Sequence, residues 1–380
     1  MVLLLACTLP ADVDPAVPDS SGESASSAVR DFSVGAFHHC WLDGEGSLSC
    51  ETVGPYAMIG EERARPDEAF VDVEVAFRHG CARTSAGVAT CWGDSAFRGT
   101  FDTLEVGATS SCGLLGTRLE CEAVGWQDDH VPALAEGVDQ VSSGLRNTCV
   151  LDADGMALCW GGVDLGQGSP GTGPFSAISV GHYTTCTLAD EVVDCVGDDL
   201  YGLVSEAPEE LISISVGVVS ACGRTAQSEI SCWGSDIYGV ISGVPSGTFA
   251  RVEVGAGHAC ALSYEDELVC WGGSLDEQWD HSGAPLSHER DIQPIWDMHC
   301  LACHPGTGGS DPRLNLARGS AYGVLMGETW HPGLVNTSSV SDSRVLVRLK
   351  SQSAPMPPTH TLPSTQIDLV ARWIEEGAAP

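Results

Sequence analysis

Phe249-Ala-Arg-Val-Glu-Val-Gly-Ala-Gly-His-Ala-Cys-Ala-Leu-Ser-Tyr-Glu-Asp-Glu-Leu-Val-Cys-Trp-Gly272 decides the fold. Phe249, Val252 and Val254 are apolar positions among polar ones, a pattern that predicts half-buried strands, and the glycines between segments mark turns. Cys260 and Cys270 stand ten positions apart. Upstream the same spacing, or one residue less, returns six times: Cys40 with Cys50, Cys81 with Cys91, Cys112 with Cys121, Cys149 with Cys159, Cys186 with Cys195, and Cys222 with Cys232. Successive pairs lie about 37 residues apart. Self-similarity at that period predicts a solenoid or propeller, here of seven units over residues 31–273. No helical periodicity occurs before residue 290.

A hairpin with a short polar turn brings the two cysteines of each pair opposite one another, within the separation a disulfide needs. Each bridge closes a short loop and stabilises by roughly 2–3 kcal/mol on the chain-entropy account. Zinc is the competing reading. The pairs lack the close Cys-x-x-Cys spacing of zinc ligands, so seven disulfides are expected. Trp92, Trp160, Trp233 and Trp271 follow second cysteines and are read as packing residues. Two positions before the first cysteines lie His38, His79, Ser110, Asn147, Thr184, Ser220 and His258. Serine, asparagine and threonine replace histidine there, which favours a local hydrogen bond to backbone over a ligand ring.

The pieces Gly-x-x-His-x-Cys-x-Leu and Cys-Trp-Gly, fullest in Gly255–Gly272 and Gly144–Gly161, resemble the repeats of the regulator of chromosome condensation family. The resemblance implies an all-β seven-bladed propeller. Gly-Gln-Leu-Gly, which often ends such repeats, survives only as Leu165-Gly-Gln-Gly168 or Tyr201-Gly-Leu, and the third unit, from Cys112 to Gly125, is degenerate. A propeller alone does not specify an activity. How the ring closes is left open: strands from residues 10–32 or 274–290 are the candidates for completing the first or last blade.

The chain carries 52 acids against 17 bases, a net charge of −35. Residues 1–290 hold 44 acids and 11 bases, and residues 291–380 hold 8 and 6. A surface so acidic repels phosphates, which excludes nucleic acid and anionic lipid as partners and sets aside the chromatin binding and nucleotide exchange of the resembling family. Seventeen cysteines point to an oxidising compartment outside the cytoplasm. Leu4-Leu5-Ala6-Cys7 resembles the lipobox of bacterial lipoprotein precursors, which implies lipidation at Cys7, a membrane contact through a lipid anchor only, and a start codon further upstream. Residues 1–7 then form a truncated signal and 8–30, rich in serine and proline, a disordered tether.

After a linker at 274–290 the pattern changes to a period of 3.6. Ile292, Ile295, Trp296 and His299 would share a helix face running into Cys300-Leu301-Ala302-Cys303-His304. Two cysteines three apart followed by histidine are what covalent attachment of haem c requires: the thiols of Cys300 and Cys303 bond the porphyrin and His304 takes the proximal side of the iron. Near the C-terminus Thr365 is the expected N-cap of a helix whose stripe is Ile367, Val370, Trp373 and Ile374, stopped at Gly377. Met356, between Pro355 and Pro357, can present a thioether on the distal side; Met326 and His331 are the alternatives, and Met298 lies too near the attachment helix. Met356-Pro357 and Trp373-Ile374-Glu375-Glu376-Gly377-Ala378 resemble the C-terminal half of small class I c-type cytochrome domains, which implies a small all-α domain over 291–380 with Met356 as distal ligand. Arg344, Arg348 and Lys350 could meet the propionates.

The expectation is an exported, lipid-anchored monohaem electron carrier, in the periplasm or at the surface of a bacterial outer membrane, with an unidentified redox protein as partner and no catalytic residues of its own. Two alternatives stay open. One is an enzyme on the propeller loops, where Asp94, Asp164 and Asp236 lie, with the haem as electron outlet. The other is an adhesive surface protein without electron transfer.

Overall fold

The structure is a computed structural model that describes residues 28–53, 68–77, 79–124, 134–145, 147–161, 166–273, 285–301, 304, 314–327, 334–351, 356, 362 and 364–380. Cys7, Cys303, His331 and Asp164 lie outside the described residues, as do residues 8–27 of the expected tether and most of the linker. The last residues assigned to the tether, Val29 and Arg30, instead open the first strand, because Val29 is buried in the propeller.

Seven antiparallel sheets follow one another along the chain, five of three strands and two of four. Blade seven shows the plan: an inner strand Phe249–Val254, a middle strand His258–Ser263 carrying Cys260, and an outer strand Leu268–Gly272 carrying Cys270. In every blade the two cysteines face each other across the middle and outer strands and are bonded. Cys40 joins Cys50, Cys81 joins Cys91, Cys112 joins Cys121, and Cys149 joins Cys159. Cys186 joins Cys195, Cys222 joins Cys232, and Cys260 joins Cys270. Their Cα atoms are 4.0–4.1 Å apart in all seven. The pairs separated by nine positions, in blades three and five, keep the same direct opposition as those separated by ten. The hairpin turn absorbs the missing residue.

The third unit is no fragment, for Thr103–Gly107, Ser110–Leu115, Arg118–Ala123 and Leu134–Ala135 make a full four-stranded blade. Among the described residues the ring closes without a shared strand. Val29–Val34 is the inner strand of blade one, and it meets blade seven through Val34 N–H donating to Glu253 Oε2 at 3.0 Å and an ion pair of Arg251 with Asp31 at 2.6 Å.

Each inner strand ends in a short motif: Ser33-Val34-Gly35, Glu74-Val75-Ala76, Glu105-Val106-Gly107, Ser142-Ser143-Gly144, Ser179-Val180-Gly181, Ser215-Val216-Gly217 and Glu253-Val254-Gly255. In six of the seven the first residue reaches into the following blade and accepts from a backbone N–H there: Ser33 Oγ from Val75, Glu105 Oε1 from Ser143, Ser142 Oγ from Val180, Ser179 Oγ from Val216, Ser215 Oγ from Val254 and Glu253 Oε2 from Val34, at 2.7–3.1 Å. The glycine packs against a neighbouring blade's backbone. A Cβ on Gly217 would stand 2.2 Å from the Gly255 carbonyl oxygen, and one on Gly255 2.0 Å from that of Gly35. Glycine is needed here because the backbones approach so closely, and the ring of seven is fixed by these repeated contacts.

In blades two and four the position two before the first cysteine also bridges blades. His79 Nε2 hydrogen-bonds the Ser110 carbonyl at 3.1 Å, and Asn147 Nδ2 donates to Thr185 Oγ1 at 3.1 Å. The local turn bond expected from sequence is here a bond to the next blade. Thr184 does bond locally, to the Asp198 carbonyl at 3.0 Å.

The C-terminal unit begins with a π-helical turn, His288–Ile292, capped by Ser287, and continues as α1, Gln293–His299. Three further helices follow: α2 (Ala321–Met326), α3 (Arg344–Leu349) and α4 (Ser364–Glu375). The last helix opens at Ser364, so Thr365 lies inside its first turn and is not its cap. Gly377, at φ +104°, ends it, with Ala378 N–H returning to the Trp373 carbonyl at 2.8 Å. Ile292, Ile295, Trp296, Leu325, Leu349, Val370, Trp373 and Ile374 make one apolar core, which Leu145 and Tyr183 of the propeller enter.

Every residue of α1 is buried, because its second face lies on the propeller. Met298 is fully buried against Ala36, Val218 and Ala256, which follow the inner strands of blades one, six and seven. His299 stacks on Phe37 with ring centroids 5.0 Å apart. The face expected from sequence is thus split: Ile292, Ile295 and Trp296 turn to the helical core, and His299 turns to the propeller.

Candidate functional site

A cavity of about 410 Å³ opens in the C-terminal unit. Its walls are mainly apolar, from Trp296, Leu316, Leu325, Val345 and Leu349. Cys300 and His304 lie on its wall together with Met356, which comes from a separate segment of the chain. Cys300 is held at the end of α1 by its N–H to the Trp296 carbonyl at 2.9 Å, and takes no part in the seven disulfides. His304 N–H continues the turn to the Cys300 carbonyl at 2.8 Å, while its own carbonyl accepts from Leu316 at 3.0 Å. One helical step therefore sets thiol and imidazole on the same side. Met356 is anchored by its N–H to the Arg348 carbonyl at 3.2 Å and is 39% exposed. Arg344 and Arg348 complete the lining.

Of the alternative distal ligands, Met298 faces the neck of the propeller, formed by Ala36, Val218 and Ala256 beyond the ends of the inner strands, and Met326 packs beside the helical core without lining the cavity. Lys350 is exposed and lines no part of it. The donor set and the volume fit haem c. One thiol, one imidazole and one thioether share an apolar space within the roughly 300–1,000 Å³ typical of cofactor pockets, and two guanidinium groups are positioned to meet carboxylates.

Behind the cavity, Trp296 Nε1 donates to His288 Nε2 at 3.1 Å. Burial lowers the His288 pKa to about 4, so its neutral ring acts as the acceptor. On the other side of α1, Asp297 carries a network that sequence reasoning missed. Its carboxylate accepts from Gln293 Nε2 at 2.8 Å, from Tyr201 OH at 2.9 Å and from Arg318 Nη2 at 2.7 Å, and Arg318 also pairs with Asp198. The Arg318 guanidinium lies 4.4 Å over the Tyr201 ring. Asp198 and Tyr201 belong to the propeller and the others to the helical unit. Burial opposes both charges, pushing Asp297 up to about 7 and Arg318 down to about 10. The available signal was an acid in an otherwise apolar helical segment.

The acidic loops of the propeller have a local purpose where they are described. Asp199 Oδ1 accepts from the backbone of Val204 and Ser205, and Asp236 Oδ1 from that of Ile241 and Ser242, at 2.7–3.0 Å. These carboxylates hold turns together and do not converge on a site.

Comparison with known proteins bears on the propeller. Residues 138–167 match the regulator of chromosome condensation (RCC1) repeat. The CRINKLY WD40 ectodomain of an Arabidopsis thaliana receptor kinase is similar at 20% identity over 65% of this chain and 96% of that one, with a TM-score of 0.51. The ectodomain of a Physcomitrella patens receptor kinase is similar at 18% identity over 65% and 74%, with a TM-score of 0.53. The fold is a β-propeller that carries an RCC1 repeat at residues 138–167. No curated protein matches the chain. The seven disulfides of this propeller belong to an oxidising compartment outside the cytoplasm. No helix among the described residues is long and apolar enough to cross a membrane.

Proposed function

We propose that the chain is an exported monohaem c-type cytochrome whose propeller serves as the scaffold for its haem unit, and that it transfers electrons. The observation that carries this reading is the meeting of Cys300, His304 and Met356 on one apolar cavity. Cys300, with Cys303, would bond the porphyrin, His304 and Met356 would hold the iron, and Arg344 and Arg348 would receive the propionates. Haem held in this way supplies a one-electron couple, and His/Met ligation raises its potential while leaving the iron no open position for a substrate. The chain is thus read as an electron carrier without catalytic residues. Trp296 and Leu316 would keep water from a bound haem, and the exposure of Met356 would leave the cavity accessible to a redox protein partner. Lipidation at Cys7, with residues 8–28 as tether, would hold the protein at a membrane.

The test is an optical spectrum and an intact mass of the exported protein. Haem c predicts Soret and α bands in the reduced state and the added mass of one haem that acid–organic extraction does not remove. A polypeptide of unmodified mass with no visible bands overturns the reading.

A further inference from the structure

The seam where blade seven meets blade one differs in chemistry from the other six. Between consecutive blades a slot forms from the residue two before the first cysteine of one blade and the residue one before the first cysteine of the next. The slot between blades four and five holds Asn147 and Thr185, joined by a hydrogen bond. At the second of these positions blades two to seven carry Gly80, Ser111, Thr148, Thr185, Ala221 and Ala259. Blade one alone carries histidine. The seam slot therefore pairs His258 with His39, and it is the one slot of the seven with two residues able to ligate a metal.

The rings of His39 and His258 have centroids 5.5 Å apart, and candidate ligand atoms of His39, His258 and Cys260 all lie within 4.8 Å of one another. His39 is 7% exposed and His258 1%. Their Nδ1 and Nε2 atoms, respectively, have no hydrogen-bond partner, although both are buried. A buried polar atom without a partner costs about 1–3 kcal/mol, and this slot holds two, where a threonine and an asparagine would have satisfied each other. Glu51 stands 4.0 Å from His39 Nε2, which favours the proton on that nitrogen and leaves the lone pair on Nδ1.

We propose that His39 and His258 bind one monovalent copper ion that clasps blade seven to blade one. Imidazole suits copper and zinc, and softer sulfur surroundings favour Cu(I). Cys260 is committed to its disulfide with Cys270, so its sulfur offers a weak third contact only. Two neutral ligands in a buried slot can compensate one positive charge far better than two, which selects the monovalent ion.

The experiment uses the exported full chain, washed with chelator and titrated anaerobically with Cu(I) against a colorimetric Cu(I) chelator. One copper per chain is expected in the wild type and in His79→Asn, which alters the equivalent residue of blade two. His39→Ala and His258→Asn carry residues that other blades tolerate at these positions, and each should lose at least about tenfold in affinity, the scale of losing one element of a metal site. Copper should raise the melting temperature of the wild type and of neither variant. Should His39→Ala fail to form all seven disulfides by mass, His39→Ser, which copies Ser111 of blade three, replaces it; His258→Ser, which copies Ser220 of blade six, does the same for His258→Asn. The proposal is overturned if the wild type takes up no copper, if the substitutions leave affinity unchanged, or if Zn(II) binds more tightly than Cu(I).

Discussion

Removing Arg318 should loosen the helical unit from the propeller. The guanidinium is 5% exposed and lies between Asp297, which is fully buried, and Asp198 of the propeller. Arg318→Ala deletes both pairs and the contact over Tyr201. Losing one partner of a buried pair costs about 3–5 kcal/mol, because a charge is left without compensation. Here the penalty has a relief: the Asp297 carboxyl already titrates near 7, so without its partner it stays protonated at neutral pH, held by Tyr201 OH and Gln293. The expected loss is therefore about 2–3 kcal/mol at pH 6.5 and grows towards pH 8.5, where keeping or losing the proton both cost energy. Urea denaturation would measure the loss, and hydrogen exchange would locate it. Amides of residues 293–301 should exchange faster in the variant while the blades remain protected. Adding Asp297→Asn should recover part of the stability, most clearly at pH 8.5. A change below about 0.5 kcal/mol with unaltered exchange over 293–301 would refute the assignment of docking to this network.

Met356→Ala should lower the reduction potential of the exported protein, because methionine ligation raises it, while Met326→Ala should leave it unchanged; a redox titration distinguishes the two. Gly217→Ala should destabilise the propeller by about 1–3 kcal/mol in thermal unfolding, since its Cβ would meet the Gly255 carbonyl oxygen at 2.2 Å. The Glu105 carboxyl is half-buried in the central channel that the inner strands line, and desolvation raises its pKa from about 4.5 to about 8. Between those values the folded chain holds a proton that the unfolded chain has released, so this group makes stability fall as pH rises from about 5 to 8. Glu105→Gln keeps an acceptor for Ser143 N–H and should flatten that fall, gaining about 1–2 kcal/mol at pH 8 after allowance for solvent in the channel.

Much of the propeller was legible because its signals are local. A strand period of two, a cysteine pair across each hairpin and a repeat near 37 residues each depend on neighbours in the chain, so seven blades and their pairings follow from counting. The clasp between blades was equally present, as seven copies of a serine or glutamate two residues before a glycine or alanine. Its meaning needs the next blade in view, because the bond it makes is to a different sheet. The same limit hid His39. As one residue beside Cys40 it is unremarked; only closure of the ring sets it against His258, far away in sequence.

The helical unit shows a second kind of limit. Its periodicity gave the helices, yet put His299 with Ile292, Ile295 and Trp296, since an apolar stripe does not say whether a helix has one covered face or two. Helix α1 has two. Trp296 and Cys300 face the cavity, while Met298 and His299 fill the propeller neck among Ala36, Phe37, Val218 and Ala256. The residue preceding Cys300 thus touches the propeller directly. Movement of the neck would displace Cys300, so under the proposed haem attachment the propeller would hold the cofactor rigidly only while the neck stays closed around Met298. Replacing Met298 with alanine would leave a void between the two units and cost about 2–5 kcal/mol, the range for emptying a buried methionine site, and the accompanying loss of hydrogen-exchange protection should include Cys300. Unchanged protection at Cys300 in that variant would mean that the attachment segment is fixed by the helical core alone, and that the propeller is a passenger in positioning the site.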